Sequence, residues 1–154
     1  MDSYAAVVAF HGHSCPEAAF GFRVAEAAAS RLGRHAAGNE LVAVTAVAGC
    51  TADAIQVVAG CTVGRKNLRI EDTGIKAFTF RRRDGAEVRI TGRRGGAAFG
   101  SPEIEALART VRAGAASAEQ ADRYVVAQAE QVGRILAATE EQLLSIDVET
   151  AAAA

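Results

Sequence analysis

Two short stretches hold all three cysteines and two of the three histidines of this 154-residue chain. The first is Phe10-His11-Gly12-His13-Ser14-Cys15-Pro16. Residues two apart in an extended segment face the same side, so the spacing predicts that His11, His13 and Cys15 converge on one point. Pro16 disfavours helix at the residue before it and suits a first helical position, which places Cys15 at a helix N-terminus. There the helix dipole and free N–H groups stabilise a thiolate. Imidazole beside thiolate is a donor set for zinc and other transition metals.

The second stretch is Gly49-Cys50-Thr51-Ala52-Asp53-Ala54-Ile55-Gln56, continued by Gly60-Cys61-Thr62-Val63-Gly64-Arg65-Lys66-Asn67-Leu68. Cys50 and Cys61 bracket a short helix and stand about 16 Å apart if it is straight. Either the terminal turns bend and bring both thiols to one metal, or one thiol is a packing residue, the common fate of a free cysteine. That second alternative weighs more on Cys50 than on Cys61, which sits in a Gly-flanked polar turn. Arg65 and Lys66 beside the turn supply cations suited to a carboxylate or phosphate. Asp53 reads as a first-turn helix acid, as the partner that orients a histidine ligand, or as a base. His35 stands alone after a helix end and reads as surface.

Taken together, the two stretches resemble the FmdE family of formylmethanofuran dehydrogenase proteins. Its marks are an F-H-G-H-x-C-P-G-x-x-x-G-x-R segment and a later C-x-x-D-A-I-Q…G-C-T-x-G-K-x-N-L segment. They stand here as Phe10-His11-Gly12-His13-Ser14-Cys15-Pro16 with Gly21-Phe22-Arg23, and as Cys50, Asp53-Ala54-Ile55-Gln56, Gly60-Cys61-Thr62, Gly64-Arg65 and Asn67-Leu68. Glu17 stands where the family has Gly, which narrows or acidifies the entrance, and Arg65 replaces a Lys. No cysteine-rich zinc segment of the kind many relatives carry at the C-terminus is seen. The resemblance implies an α+β domain, usually dimeric, with a metal pocket at the His and Cys positions. It also implies association with the molybdenum or tungsten enzyme that reduces carbon dioxide to formylmethanofuran.

The expected metal set is therefore His11, His13, Cys15, Cys50 and Cys61, with His13 and Cys61 foremost and zinc first among the metals. Arg65 and Lys66 are expected to hold an anionic ligand, and Arg23 to pair with a carboxylate on its own helix face. The leading reading is a cytoplasmic metal-binding protein, accessory to a redox enzyme. The alternative is an enzyme, with Cys15 an activated thiolate or a metal-bound water as nucleophile, and Asp53 or Glu17 moving protons. A third is a non-catalytic module with structural cysteines.

The elements that must position these residues follow from the pattern. Helix is predicted from Pro16 to Gly33, strand over Leu41–Val47, and a short helix over Ala52–Ala59 capped by Thr51. Strands are predicted at Leu68–Ile70, Lys76–Arg81 and Glu87–Thr91, the last two joined at Asp84-Gly85. After a flexible loop over Gly92–Gly100, Ser101-Pro102 opens a helix to Ala113. Ser117 and Gln120 form a capping box for a longer one, carrying Val125, Val132, Leu136 and Leu143 on one face. Strands and helices do not alternate regularly, so the fold class is α+β, a small antiparallel or mixed sheet packed with helices, with long C-terminal helices. One domain is expected over residues 1–147, with an Ala-rich frayed tail over 148–154.

Composition bounds the rest. Half the residues are apolar, but 36 are Ala and only 36 are large (Val, Ile, Leu, Phe, Met). That supports one domain with a modest core. Ala27-Ala28-Ala29, Ala127, Ala129, Ala137 and Ala138 permit close helix packing, and the prediction is an intertwined homodimer that completes its burial between subunits. No apolar run of about 18 residues exists, so no membrane span is expected. Trp is absent and aromatics are 5%, which argues against a base-stacking nucleic-acid surface. Residues 65–94 carry ten basic and four acidic side chains between more acidic flanks. This basic middle suits an anionic ligand or an acidic helix of a second copy.

Overall fold

A computed structural model describes residues 4–93 and 100–149. Helix α1 (Tyr4–His11) leads into α2 (Pro16–Leu32), followed by strand β1 (Leu41–Thr45), helix α3 (Cys50–Ala59) and strands β2 (Leu68–Ile70), β3 (Ala77–Arg82) and β4 (Glu87–Gly92). Helices α4 (Pro102–Arg112), α5 (Ala118–Ala137) and α6 (Glu140–Leu143) then precede strand β5 (Leu144–Glu149). The five strands form one mixed sheet in the order β2-β1-β3-β4-β5. Only β1 and β2 run parallel; the other pairs are antiparallel. The α+β expectation is met.

Register explains the core. Ala43 faces Phe80 across β1 and β3, and Phe80 faces Val88 across β3 and β4. With period 2 this sends Leu41, Ala43, Phe78, Phe80, Val88 and Ile90 to one face, all buried. Helix α2 packs on that face and α3 packs on α2. Small residues set the helix spacing. A Cβ on Gly21 would stand 2.7 Å from Thr51 Cα and 2.8 Å from its carbonyl oxygen, so only glycine lets α2 lie this close to α3. Ala27 and Ala28 are fully buried within this one chain, whereas Ala129 and Ala137 are exposed.

The predicted helices and strands recur with small shifts. Strand β1 stops at Thr45, whose hydroxyl bonds both the N–H and the carbonyl of Val47 and turns the chain. Helix α3 begins at Cys50 with Gly49 as its cap, and Thr51 donates its hydroxyl to the Glu17 carbonyl at 3.2 Å instead of capping. The long last helix ends at Ala137, and a second capping box at Thr139 and Gln142 starts α6. Its buried face holds Val132 and Ile135, and Val125 is 64% exposed. Arg23 holds this end: besides an ion pair with Glu26 at 3.7 Å, its Nη1 donates to the carbonyls of Ile135, Leu136 and Ala138 at 2.9, 3.0 and 2.7 Å.

Three elements lie outside the sequence expectation: α1, α6 and β5. Strand β5 pairs with β4 through Glu149, so residues 148 and 149 belong to the sheet and not to a frayed tail. The rest of that tail, and residues 94–99 of the flexible loop, lie outside the described residues. No helix among the described residues is long and apolar enough to cross a membrane.

Candidate functional site

Three helix ends meet at one place. His11 is the last residue of α1, Cys15 is the N-cap of α2, and Cys50 is the first residue of α3. Their ligand atoms all lie within 4.8 Å of one another. The extended arrangement expected for residues 11–15 does not occur. Gly12 takes φ +93°, a conformation that favours glycine, and its N–H closes α1 onto the Val8 carbonyl at 2.8 Å. The chain then turns, and the two residues four apart, His11 and Cys15, come together with Nε2 3.9 Å from Sγ. His13 is exposed, its ring centroid 4.4 Å from that of His11, and it stands beside the group and not in it.

Each member is held in place. Asp53, one turn into α3, accepts from His11 Nδ1 at 2.8 Å, which leaves Nε2 turned toward Cys15. The other Asp53 oxygen accepts from Gln56 Nε2 at 3.2 Å, and the Gln56 amide oxygen accepts from the Val63 N–H at 3.4 Å. Asp53 thus contacts a histidine, as one of the three readings open from sequence requires. Cys15 Sγ accepts from the Ala18 N–H at 3.4 Å. The Tyr4 hydroxyl bonds Ser14 Oγ at 2.9 Å and the Cys15 carbonyl at 3.3 Å, pinning α1 to the turn. Burial first, then the adjacent Cys15, push the Cys50 thiol up to about 11.

The donor set fits a transition metal. Tetrahedral zinc, with Zn–S near 2.3 Å and Zn–N near 2.05 Å, places neighbouring N and S ligands about 3.6 Å apart. The 3.9 Å between His11 and Cys15 is within a small side-chain adjustment of that. A carboxylate on the far nitrogen of a histidine ligand is the usual supporting contact of such sites.

The structure does not bring Cys61 to this group. It follows the opposite end of α3, is fully buried, and donates to the Leu41 carbonyl at 3.5 Å. Burial pushes its thiol up to about 12, with Arg65 opposing. Cys50 opens α3 and Cys61 follows its C-cap Gly60, so the two thiols belong to opposite ends of the helix, and Cys61 is the one that packs in the core. Asn67 knits the turn after it, accepting from the Thr62 N–H at 2.8 Å and donating to the Leu41 carbonyl at 3.0 Å. Arg65 and Lys66 belong to that turn: Arg65 Nη1 donates to the Gly60 carbonyl at 3.1 Å, and Lys66 takes φ 62°. Neither lines the cavity beside Cys15 and Cys50. His35 is half-buried and not simply surface, its Nδ1 accepting from the Leu41 N–H at 3.1 Å.

That cavity, of about 670 Å³, separates the metal-type group from α4 and α5. Cys15, Cys50 and His13 line one side, and Ile104, Ala108, Arg109 and Arg112 of α4 line another. At its edge Glu17 pairs with Lys76 at 2.6 Å, so the acid that stands in place of the family's glycine is neutralised. Lys76 Nζ also lies 4.7 Å over the Phe20 ring. Sequence reasoning missed Gln56, Tyr4, Lys76 and the α4 arginines, because their roles depend on which helices face one another.

The fold and site define a class: an α+β domain with a His–Cys–Cys group at the junction of three helix ends. Residues 10–145 match the family described as FmdE, molybdenum formylmethanofuran dehydrogenase operon, and the chain belongs to that family. A solved structure, the tungsten formylmethanofuran dehydrogenase FmdE-like protein of Syntrophus aciditrophicus, has the same fold. It matches with a TM-score of 0.59 at 21% identity, over 94% of this chain and 68% of that one. A probable S-adenosyl-L-methionine-binding protein of Archaeoglobus fulgidus is 34% identical over 87 residues, which is 53% of this chain and 24% of that protein. The chain thus spans about a quarter of that relative's length.

Proposed function

We propose that this chain is a cytoplasmic transition-metal-binding protein in which His11, Cys15 and Cys50 hold one ion, zinc before others. In this reading it serves as an accessory to a molybdenum or tungsten enzyme of redox metabolism. The supporting observation is the meeting of three soft and borderline donors within 4.8 Å, with Asp53 2.8 Å behind the histidine. A metal held by His11, Cys15 and Cys50 would supply Lewis acidity beside the cavity that Cys15 and Cys50 line. Asp53 keeps the proton on Nδ1 and presents Nε2 as the donor. Metal analysis of protein purified without added metal is the test. One ion per chain is expected, lost in His11→Ala and Cys50→Ser with the helical circular dichroism retained. Stoichiometry unchanged by both variants sinks the reading. Recovery of a molybdenum or tungsten enzyme with the chain from its native cells tests the accessory role.

One observation favours a second reading, the enzyme. Cys15 caps a helix and its sulfur accepts a backbone N–H, an environment that activates thiolates. Metal-free protein whose Cys15 reacts with iodoacetamide no faster than a free thiol argues against it. A homodimer is also part of the proposal, supported by the exposed Val125 and Val126 of α5 and Val42 of the open sheet face. Light scattering at micromolar concentration decides between monomer and dimer.

A further inference from the structure

We propose that the cavity between the metal-type group and the α4–α5 pair binds a small organic molecule bearing a carboxylate or phosphate. The oxyanion is held by Arg109 and Arg112, and the rest of the ligand extends toward Cys15 and Cys50. The inference deepens the metal reading, on which it rests for what stands at the ligand's far end.

The arginines carry it. Of the fourteen arginines among the described residues, twelve direct a guanidinium to a carboxylate, a hydroxyl or a backbone carbonyl. Arg109 and Arg112 are the two that do not, and both line this cavity. They stand three apart on α4 and so share one face of it. A basic last turn is favoured by the helix dipole alone, so their position on the helix decides nothing. Their joint presence in the wall of a 670 Å³ cavity, a volume suited to a small-molecule ligand, does.

The charges agree. Lys76 and Glu17 neutralise each other at 2.6 Å, which leaves Glu105 against two guanidiniums and a surplus of one positive charge in the lining. The planar guanidinium fork matches an oxyanion in two-pronged fashion. Gln128 Nε2 donates to the Tyr124 hydroxyl at 2.9 Å, and this leaves the Tyr124 O–H and the Gln128 carbonyl free to orient a polar group on the ligand's body. Arg65 and Lys66, at the other end of α3, are not part of this site.

Phenyl phosphate and benzoate, with benzyl alcohol as the uncharged control, test the inference by titration calorimetry on the metal-loaded protein. Saturable one-site binding of at least one anion is expected, weakening with added salt, and absent for benzyl alcohol. Which anion binds tells a phosphate ligand from a carboxylate one. The Arg109→Gln/Arg112→Gln pair is expected to lose at least about tenfold in affinity, with metal content and melting temperature unchanged. Anion binding by that variant as tight as by the unaltered protein overturns the inference, as does failure of both anions to bind at millimolar concentration. Cys50→Ser separates the two readings. If it keeps its metal, the metal assignment fails, while arginine-dependent anion binding is still read independently.

Discussion

Asp53 Oδ2 stands 2.8 Å from His11 Nδ1, and on the other side of the imidazole Nε2 stands 3.9 Å from Cys15 Sγ. One carboxylate on α3 therefore holds the imidazole at the end of α1 with Nε2 toward Cys15. Removing such a partner from a metal-bound histidine costs about 10- to 100-fold in affinity. Asp53→Ala is expected to fall in that range in a chelator competition assay, with fold retained. Asp53→Asn keeps an acceptor without the charge and is expected to lie between. Equal affinity in all three proteins refutes the orienting role.

Cys50 and Cys61 make opposite predictions from opposite ends of α3. Cys61 is fully buried against Leu41, so Cys61→Ala is expected to leave metal content unchanged and to cost roughly 1 kcal/mol in urea denaturation. Cys50→Ala is expected to abolish metal binding. In the folded protein Cys61 is expected to resist alkylation at neutral pH, since its thiol is pushed up to about 12 and shielded from solvent. Metal loss in Cys61→Ala with the native fold intact counts against the three-residue group.

Local patterns made much of this legible from sequence. Pro16 after Cys15, the Ser117–Gln120 box and the alternation of Phe78 and Phe80 each act within a few residues, and each element appears where the pattern puts it. Helix α1 was not legible because Tyr4–His11 is apolar all round and shows no amphipathic stripe. Strand β5 was hidden because Leu143 extended the apolar stripe of α5 across the turn at Thr139. The site suffered from the first of these errors. Without α1, His11 could not be placed at a helix end, and His13 took its part. The choice between Cys50 and Cys61 depends on which end of α3 the N-terminal part of α2 approaches. That approach is written in Gly21, whose significance lies in a contact 30 residues away.

Gly21→Ala tests that contact. Its Cβ would meet Thr51 backbone atoms at 2.7 and 2.8 Å, and backbone cannot swing aside as a long side chain can. Overpacking of this kind costs about 1–3 kcal/mol. Any relief moves α2 away from α3 and separates Cys15 from Cys50, so metal affinity is expected to fall together with stability. Gly133→Ala, whose added carbon meets nothing within 4 Å beyond its own stretch of helix backbone, is the matched control and is expected to stabilise α5 slightly. A Gly21→Ala protein that melts and binds metal as before disproves the close-packing argument.

Glu87 predicts how stability depends on acid. Burial works against its ionisation, yet hydrogen bonds from Arg81 and Arg89 outweigh this and hold its carboxyl below the ordinary range. A folded-state value below the unfolded one adds stability that is complete above the unfolded value, near 4.5, and is lost as pH falls through the folded value. Metal-free protein is the right subject, since acid also strips metal from histidine and cysteine. The stability gap between unaltered protein and Glu87→Gln is expected to be constant from neutral pH to about pH 5 and to shrink below it. Other depressed carboxyls, such as Glu140 beside Arg31, are present in both proteins and cancel in the difference. Because Arg81 and Arg89 are 64% and 54% exposed, molar salt is expected to narrow the gap at neutral pH as well. A gap that stays constant down to pH 3 shows that the arginine pair does not hold the charge.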